Sequence, residues 1–415
     1  MSFLIGALKV IFVLGFLILI HEGGHFLVAK ACKVKVKEFS IGFGPKIFEH
    51  FGKETKYTLR LIPFGGFVDM LGETERIDET GSFSNSPVWK RIAIVVAGAT
   101  VNIIFGFIVY FSLMAIDFNE VSNIVSEILP EYSENLAELQ VGDKIKSING
   151  QKIHLKTDID EYLKNTNNAD LILEIERNGE NKEIKVKATK NTTKYVGIYF
   201  GDSDNLNSEI KYVNPDSPAE IAGLKQGDRI VGINGIKTEN PMEIANNINT
   251  DIVEFTIKRN ETEENIKVNT KNVEAYLLGV KFESAEASFQ NRIYYGYWES
   301  IKYIQALGES IITLFKGDVE INQMMGPIGI SEVIVKTKGV SEFVYFLSII
   351  SLSLGISNLL PIPALDGGRI VLLIIEAVRR KPLKQETEIT IQMIGFSFII
   401  LLSLYISFND VVRIF

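Results

Sequence analysis

Residues 21–25 read His21-Glu22-Gly23-Gly24-His25 and close an apolar run that begins at Leu4. Side chains four residues apart share one face of a helix, so His21 and His25 can hold one metal ion together. Glu22 lies beside them and can take a proton from a water molecule at that metal, as in zinc hydrolases. Ionisable groups are costly next to lipid, so their presence here indicates a functional site. The alternative is a chance match to the motif on a core helix.

The composition indicates a mosaic of membrane-spanning segments and soluble domains. Of 415 residues, 46% are hydrophobic and 23% are charged, and the mean hydropathy is +0.16. This is too apolar for an ordinary soluble protein and too charged for a pure transporter. The net charge of −8 argues against nucleic acid as a partner. The other two histidines, His50 and His154, lie in polar surroundings, so a carboxylate is the expected third zinc ligand.

Four apolar stretches are long enough to cross a bilayer, which takes about 20 residues. They run from Leu4 to about Ala31, from Ile92 to Ile116, from Phe343 to about Leu360, and from Ile389 to Phe408. The first has no small-residue cleavage site before its polar end, so we interpret it as a retained anchor.

Basic residues set the expected orientation of these stretches. The loops at 30–91 and 379–384 are rich in lysine and arginine, and by the positive-inside rule both face the cytoplasm. Both termini and the segment from Asp117 to about Lys338 are then expected on the extracytoplasmic side of a multi-pass membrane protein.

The segment between the second and third apolar stretches contains an internal repeat. Residues 139–150, LQVGDKIKSING, recur as residues 224–235, LKQGDRIVGING. In each copy Gly-Asp predicts a turn, the alternating apolar residues predict a strand, and Asn-Gly predicts a tight hairpin. Residues 217–223 ahead of the second copy predict a capped short helix ending at glycine. The pattern resembles bacterial PDZ domains, the second copy more closely than the first.

The resemblance to PDZ domains implies binding of peptide termini. Such domains add an extended peptide to a sheet edge, often holding its carboxylate on backbone N–H groups. Gly197 and Ile198, within residues 196–200 (VGIYF), are the candidates for this loop, because glycine lets the backbone turn its amides together. The alternative is the start of an ordinary strand.

A second polar element interrupts the third apolar region at residues 357–369, SNLLPIPALDGGR. Two prolines spaced two apart cannot stay in a regular helix, because each lacks an amide donor. Unwound backbone at membrane depth is tolerated only inside protein or beside water. Asp366 on this segment is therefore a candidate ligand that completes a site with His21 and His25 and leaves the fourth zinc position open. The alternative is a proline-rich turn with a helix-capping aspartate.

The motifs and their order extend over nearly the whole chain. Besides 21–25 and 358–368 they include residues 39–45 (FSIGFGP), 62–68 (IPFGGFV), 97–102 (AGATVN), 326–330 (GPIGI) and 408–410 (FND). This combination resembles the site-2 protease family of intramembrane metalloproteases, in its bacterial regulator-of-sigma-E protease type with tandem PDZ domains. The resemblance implies a polytopic α-helical membrane protein with four transmembrane helices, a membrane-associated β element and two inserted α+β PDZ domains.

The expected domains follow from this resemblance. Residues 1–118 form a first membrane part with the zinc-binding helix and the β element, and residues 341–415 form a second with the Asp-Gly motif. Between them we expect PDZ domains at 119–192 and 193–275, then a linker with amphipathic helices at 276–340.

The resemblance implies a zinc-dependent intramembrane endopeptidase of the bacterial cytoplasmic membrane. Zn²⁺ would be held by His21, His25 and Asp366, with Glu22 as the catalytic residue. Such enzymes cut transmembrane segments of single-span proteins, either anti-sigma factors already trimmed by another protease or remnant signal peptides. The external PDZ tandem would act as a substrate filter.

Substrate contacts are expected at two further places. Residues 57–62, followed by Pro63 and Gly65-Gly66, are typical of strands with a sharp bend. The resemblance makes this a β element whose edge, with Leu59 and Leu61, pairs with the extended substrate; the alternative is a small cytoplasmic hairpin. Asn358 is expected, by the resemblance, to hold the substrate backbone or the developing oxyanion. Asn102 is expected to make a helix-packing hydrogen bond.

Two other functions compete with this interpretation. One is a non-catalytic membrane scaffold that presents two peptide-binding PDZ domains. An inactive relative would be expected to lack Glu22 or a ligand, whereas this chain keeps all four polar groups. The other is a zinc transporter, which is disfavoured because the apolar stretches carry too few further polar groups for a transport path.

Overall fold

The structure is a computed structural model that describes residues 2–200, 208–214, 216–259, 262–317, 325–337 and 339–414. The chain divides into two compact units. The helical unit comprises Met1–Phe118 and Ala287–Phe415, and the inserted unit comprises Asn119–Glu286.

The helical unit contains long helices around a small sheet. Its elements are α1 (Ser2–Ala31), β1 (Val36–Phe51), β2 (Lys56–Met70), α2 (Val88–Ile116), α6 (Phe289–Lys316), α7 (Pro327–Lys336), α8 (Val340–Asn358), α9 (Asp366–Arg379) and α10 (Gln385–Ile414). Among the described residues, four helical segments are apolar and long enough to cross a membrane: Ile5–Ala31, Val88–Ile116, Val340–Asn358 and Gln385–Val412. They coincide with the four predicted stretches.

Small residues bring α2 into near backbone contact with α1 and α8. A Cβ built on Gly24 of α1 would lie 2.6 Å from the carbonyl oxygen of Ala97, and one on Gly355 of α8 would lie 2.8 Å from that of Ala99. Such close approaches between apolar helices are possible only where side chains are minimal. The middle of α2 is therefore held between the helix that carries His21 and the helix that precedes Asp366.

The β element between α1 and α2 is an irregular sheet with four paired segments. Residues 56–59 lie between residues 48–51 and residues 38–41, residues 60 and 62 pair with 46 and 43, and residues 66–70 pair with the far side of 36–41. Arg60 fastens the segments together, because its guanidinium donates to Glu38 Oε1 at 2.7 Å and to the carbonyl oxygen of Gly44 at 2.9 Å. Although burial opposes it, hydrogen bonds from Arg60 and Thr58 hold the pKa of Glu38 below its usual value.

The proline segment breaks the helix as predicted. Helix α8 ends at Asn358 and α9 begins at Asp366, and the seven residues between them form turns. Gly367 fits under this turn, since a Cβ there would lie 2.2 Å from the carbonyl oxygen of Leu360. The tight turn fixes the start of α9 and with it the carboxylate of Asp366.

Two distant motifs meet at the amino-terminal end of α7. Asp410 on α10 accepts a hydrogen bond from the backbone N–H of Gly329 at 2.8 Å, so its carboxylate caps α7 from another helix. The sequence stretches 326–330 and 408–410 therefore form one contact.

The inserted unit consists of two structurally equivalent repeats. The first contains β3 (Val121–Ile128), a 3₁₀ helix (Pro130–Leu136), β4 (Lys144–Ile148), β5 (Gln151–Lys152), α3 (Lys156–Asn165), β6 (Asp170–Arg177) and β7 (Glu180–Lys187). The second contains β9 (Ile198–Tyr199), β10 (Tyr212–Val213), α4 (Pro218–Ile221), β11 (Arg229–Ile233), β12 (Ile236–Lys237), α5 (Pro241–Asn246), β13 (Ile252–Arg259) and β14 (Thr262–Asn269). Their connection consists of β8 (Thr189–Tyr195) and β15 (Lys271–Leu277), and β16 (Val280–Ser284) follows.

The turns predicted from the repeated sequence are present in both copies. Asn149 and Gly150 have φ values of 48° and 83°, and Asn234 and Gly235 have 50° and 78°. Positive φ at both central residues is the signature of a type I′ hairpin. The buried aspartates of the two Gly-Asp turns also have equivalent partners, because Arg177 binds Asp143 and Arg259 binds Asp228, each through two nitrogens at 2.7 Å.

The two repeats are nested rather than consecutive. β16, which follows the second repeat, pairs with β3 of the first and extends its sheet to the order β16-β3-β4-β6-β7. The second repeat is joined to the first by the antiparallel ladder of β8 and β15. This pairing corrects the expected boundary at 275/276: residues 280–284 complete the first repeat, and the linker toward α6 begins only after them.

Candidate metal centre and active site

Three side-chain atoms from two distant parts of the chain converge on one point. The Nε2 atoms of His21 and His25 lie 3.2 Å apart, and Asp366 Oδ2 lies 3.2 Å from the first and 3.4 Å from the second. One helical turn on α1 supplies the histidines, and the first residue of α9 supplies the carboxylate. His21, His25 and Asp366 are the predicted ligands, and the structure brings all three together.

The geometry of this triangle fits zinc. In a tetrahedral site with ligand distances of about 2.0–2.2 Å, two ligand atoms lie about 3.3–3.6 Å from each other. His25 Nδ1 lies 2.8 Å from the carbonyl oxygen of Ile94; when it carries the proton and donates there, Nε2 is left with a free lone pair. Asp366 Oδ2 is buried and receives no hydrogen bond from the described residues. A buried carboxylate oxygen that faces two imidazole nitrogens forms a donor set suited to a cation held between the three atoms.

Gly98 of α2 forms the wall behind the two histidines. A Cβ at this position would lie 2.4 Å from His25 Nε2 and 2.9 Å from His21 Cε1. The absence of a side chain at Gly98 therefore allows both imidazoles to point at Asp366. This role of Gly98 could not be predicted from residues 97–102, because an apolar helix gives no sign of which neighbour approaches a glycine.

Glu22 lies next to the triangle and against the sheet. A Cβ built on Gly66 of β2 would lie 3.1 Å from Glu22 Cγ and 3.3 Å from Ile18 Cγ2, so the Gly66 backbone packs directly on the Glu22 side chain. The strand segment of residues 66–70 therefore begins beside Glu22, the candidate catalytic residue.

Helix α9 is anchored by two ion pairs that keep Asp366 in place. Arg91 of α2 donates to both carboxylate oxygens of Glu376, one of them at 3.1 Å, and Arg369 pairs with Glu73 just beyond β2. Arg91 and Glu376 are both largely buried, and a bidentate arginine–carboxylate pair in such surroundings fixes orientation as well as distance.

Of the two predicted substrate-binding leucines, Leu59 lies in an inner part of the sheet. It is paired with Ile41 on one side and with Phe48 on the other. This corrects the expectation that the edge at Leu59 is open to a substrate strand, because both of its sides already have a strand neighbour. Leu61 lies two residues further along β2. Among the described residues, 66–69 are paired on one side only, with 38–41.

The remaining predicted residues lie as follows. Gly65 has φ +127° and packs under the Phe43 ring at the expected bend. Asn358, at the end of α8, donates from Nδ2 to the carbonyl oxygen of Leu354 at 2.9 Å. Gly197 has φ +93° and precedes β9, which begins at Ile198.

Sequence reasoning missed the counterpart of Gly197 in the first repeat. The carbonyl oxygen of Gly197 accepts from Asn214 N–H at 2.8 Å, and that of Gly279 accepts from Leu129 N–H at 3.0 Å, at the equivalent place. Gly279 also has positive φ, at +70°. The signal was present in the sequence: residues 195–200 read YVGIYF and residues 277–282 read LLGVKF.

Comparisons with known proteins find relatives over nearly the whole chain. The model of peptidase family M50 matches residues 9–402. The zinc metalloprotease RasP of Geobacillus kaustophilus is 30% identical, over 98% of this chain and 97% of that protein. The probable protease eep of Enterococcus faecalis is also 30% identical, over 98% of both chains. The regulator of sigma E protease of Haemophilus influenzae is 29% identical over the full length of both. A solved PDZ domain of HtrA3 aligns with 21% of this chain, with a TM-score of 0.19, too slight a likeness to carry an argument.

Proposed function

The chain belongs to peptidase family M50, the site-2 proteases, and from this premise we propose that it cleaves peptide bonds within the transmembrane segments of single-span proteins. It is a metalloprotease, and its relatives are named zinc metalloproteases. The observation that carries the proposal is the triangle of His21, His25 and Asp366, whose spacing suits zinc. Zinc bound there would polarise the scissile carbonyl and acidify the attacking water.

The chain's own residues perform the proton transfers. Glu22 takes a proton from the water that attacks the carbonyl carbon, and it delivers that proton to the amide nitrogen as the C–N bond breaks. The amide of Asn358 is the proposed donor to the substrate backbone or the developing oxyanion, for which it must release Leu354.

The edge formed by residues 66–69 is the proposed docking strand for the unwound substrate. A transmembrane helix hides its peptide bonds, and a substrate that unwinds loses hydrogen bonds that only protein can replace at membrane depth. Leu71 N–H donates to Lys35 on the β1 side, whereas Met70 N–H points away, to Glu73. By strand alternation, the N–H and C=O of Val68 point outward as well. They lie two residues from Gly66, which packs on Glu22.

Replacement of Val68 by proline is expected to lower kcat/KM for helical substrates about 3- to 10-fold, since it deletes one outward donor from this edge. Zinc content should not change. Val68→Ala is the matched control, because it also removes buried side-chain volume but keeps the N–H group. A substrate whose helix is already destabilised should be affected less. Equal losses of kcat/KM in Val68→Pro and Val68→Ala would show that this edge does not dock the substrate.

The inserted unit is proposed to be a pair of PDZ domains that filters substrates by size. Support comes from the equivalent strands and turns of the two repeats and from the glycines at 197 and 279, which stand where a peptide-binding loop is expected. Within the described part of the chain, the group of histidine and carboxylate atoms that could hold a metal ion belongs to the helical unit, so hydrolysis is assigned there. We place the protein in the inner membrane of a bacterium. The basic loops favour an extracytoplasmic location for the inserted unit and for both termini.

Excision of the whole inserted unit is expected to let the enzyme cut untrimmed substrates that the intact protein refuses, while zinc binding and cleavage of short substrates persist. The nested topology defines the cut. Ala285 N–H donates to the carbonyl oxygen of Glu120 at 2.8 Å, so a short glycine linker can join these two residues.

A smaller excision is the control for this experiment. Lys271 is paired with Tyr195, so a two-residue turn between them removes the second repeat and leaves β16 for the first. If the fully excised and folded enzyme still rejected untrimmed substrates, the filter would have to lie elsewhere.

Incubation of the purified protein with a model transmembrane peptide tests the activity itself. We expect cleavage within the apolar segment, its loss after zinc chelation and its return when zinc is restored, with product masses locating the scissile bond. Cleavage confined to the soluble flanks, or unchanged cleavage by metal-free protein, would contradict the proposal.

A further inference from the structure

Asn102 on α2 is a buried polar residue whose side chain does more than pack one helix against another. Its side chain is fully buried, and its backbone carbonyl oxygen accepts a hydrogen bond from Ser351 of α8 at 2.8 Å. The side chain lies against the metal centre, with Nδ2 at 3.4 Å from His21 Nδ1. Oδ1 has no hydrogen-bond partner among the described residues.

The metal-binding geometry decides which end of this amide faces His21. Nε2 of His21 points to His25 and Asp366, so it must carry the lone pair when His21 is a ligand. A neutral imidazole then has its proton on Nδ1, which needs an acceptor. An amide nitrogen at that place offers a second donor, whereas the amide oxygen offers the acceptor. The two ends have nearly the same shape, and a half-turn about the last side-chain bond exchanges them.

We infer that Asn102 is a positioning residue of the metal centre, whose carboxamide oxygen accepts a hydrogen bond from the Nδ1–H of His21. The inference rests on the proposed zinc site and extends it. His25 has its own acceptor for the same purpose, the carbonyl oxygen of Ile94 at 2.8 Å. With both acceptors in place, each histidine is held in the tautomer and ring orientation that directs Nε2 to the metal.

Zinc affinity of substituted proteins, measured by competition with a chromophoric chelator, tests this inference without reference to cleavage. Asn102→Leu keeps the approximate shape and removes the acceptor, and it should weaken zinc binding about 10- to 100-fold. Asn102→Asp keeps an acceptor and should bind zinc within about threefold of the wild type or more tightly, since carboxylates commonly fill this role. A packing role that depends on the amide donor predicts that both variants weaken zinc binding, because Asn102→Asp loses that donor too.

Two controls separate the possible failures. Ser351→Ala removes the contact to the Asn102 backbone but leaves its side chain, and it should retain most of the zinc affinity. Wild-type protein that bound no zinc would overturn the proposed metal site, whereas normal zinc affinity in Asn102→Leu would overturn only the role of Asn102. Equal weakening in the leucine and aspartate variants would also overturn it.

A measurement that leaves Asn102 unchanged covers the case in which neither variant folds. The chain has only four histidines, so ¹⁵N-histidine labelling can resolve His21 once His50 and His154 are replaced. In metal-free protein we expect the Nδ1–H tautomer at His21. The Nε2–H tautomer would show that Asn102 donates to His21 and would overturn the inference.

Discussion

Replacement of Glu22 by glutamine is expected to leave zinc binding intact and to slow peptide cleavage by about 10²- to 10⁴-fold, the range that general acid–base catalysis supplies. Glutamine has the same shape as glutamate but cannot carry the proton from water to the leaving nitrogen. Zinc stoichiometry and single-turnover cleavage of a transmembrane peptide are the two measurements.

The ligand residues provide the contrast to this variant. His21→Ala, His25→Ala and Asp366→Ala should each lower zinc occupancy, since each removes a ligand. Glu79→Gln is the matched control, because Glu79 is half exposed and pairs with Lys35 away from the triangle. Loss of zinc in Glu22→Gln, or turnover near that of the wild type, would remove Glu22 from its assigned role. Normal zinc occupancy in Asp366→Ala would show that another residue is the third ligand.

Replacement of Gly98 by alanine should weaken zinc binding strongly although Gly98 is not a ligand. The added Cβ would lie 2.4 Å from His25 Nε2, so the imidazole must move or α2 must retreat from α1. Forcing a methyl group into a packed site costs about 1–3 kcal/mol, which corresponds to about 5- to 150-fold in zinc affinity if the metal-bound state bears all of it. Chelator competition on the purified variant gives this ratio.

Gly23→Ala is a matched control on the facing helix. A Cβ at Gly23 meets nothing within 4 Å, so the same substitution one residue beyond Glu22 should leave zinc affinity unchanged and stabilise α1 slightly. Equal zinc affinity in Gly98→Ala and the wild type would mean that α2 does not press on the histidines.

The sequence contained enough to predict that His21, His25 and Asp366 meet, because these residues lie on regular or sharply broken helices. The spacing of His21 and His25 equals a helical turn, and the two prolines before Asp366 mark where α8 must end. Residue type and local period are sufficient for inferences of this kind. Asn102 and Gly98 could not be placed in the same way, because their roles depend on which helices meet and how closely.

The β element shows a different limit. Its pairing contains several register shifts, so residue 59 falls in an inner segment while 66–69 lie at an edge. Alternation of apolar and polar residues predicts strands but not which strand is outermost. The nesting could not be predicted from the longer repeat, because the match between YVGIYF and LLGVKF lies outside that repeat.

The nesting of one repeat inside the other reverses the order in which the two can fold during synthesis. β3 leaves the ribosome first, but its partner β16 follows only after the whole second repeat, roughly ten to thirty seconds later at about 5–20 residues per second. Residues 196–269 contain every described strand and helix of the second repeat, so it can fold as soon as it emerges. The first repeat must meanwhile wait with an unfinished core, to which Leu278 and Val280 are added last. A protein truncated after residue 277 should therefore carry a protease-resistant second repeat and a protease-sensitive first one.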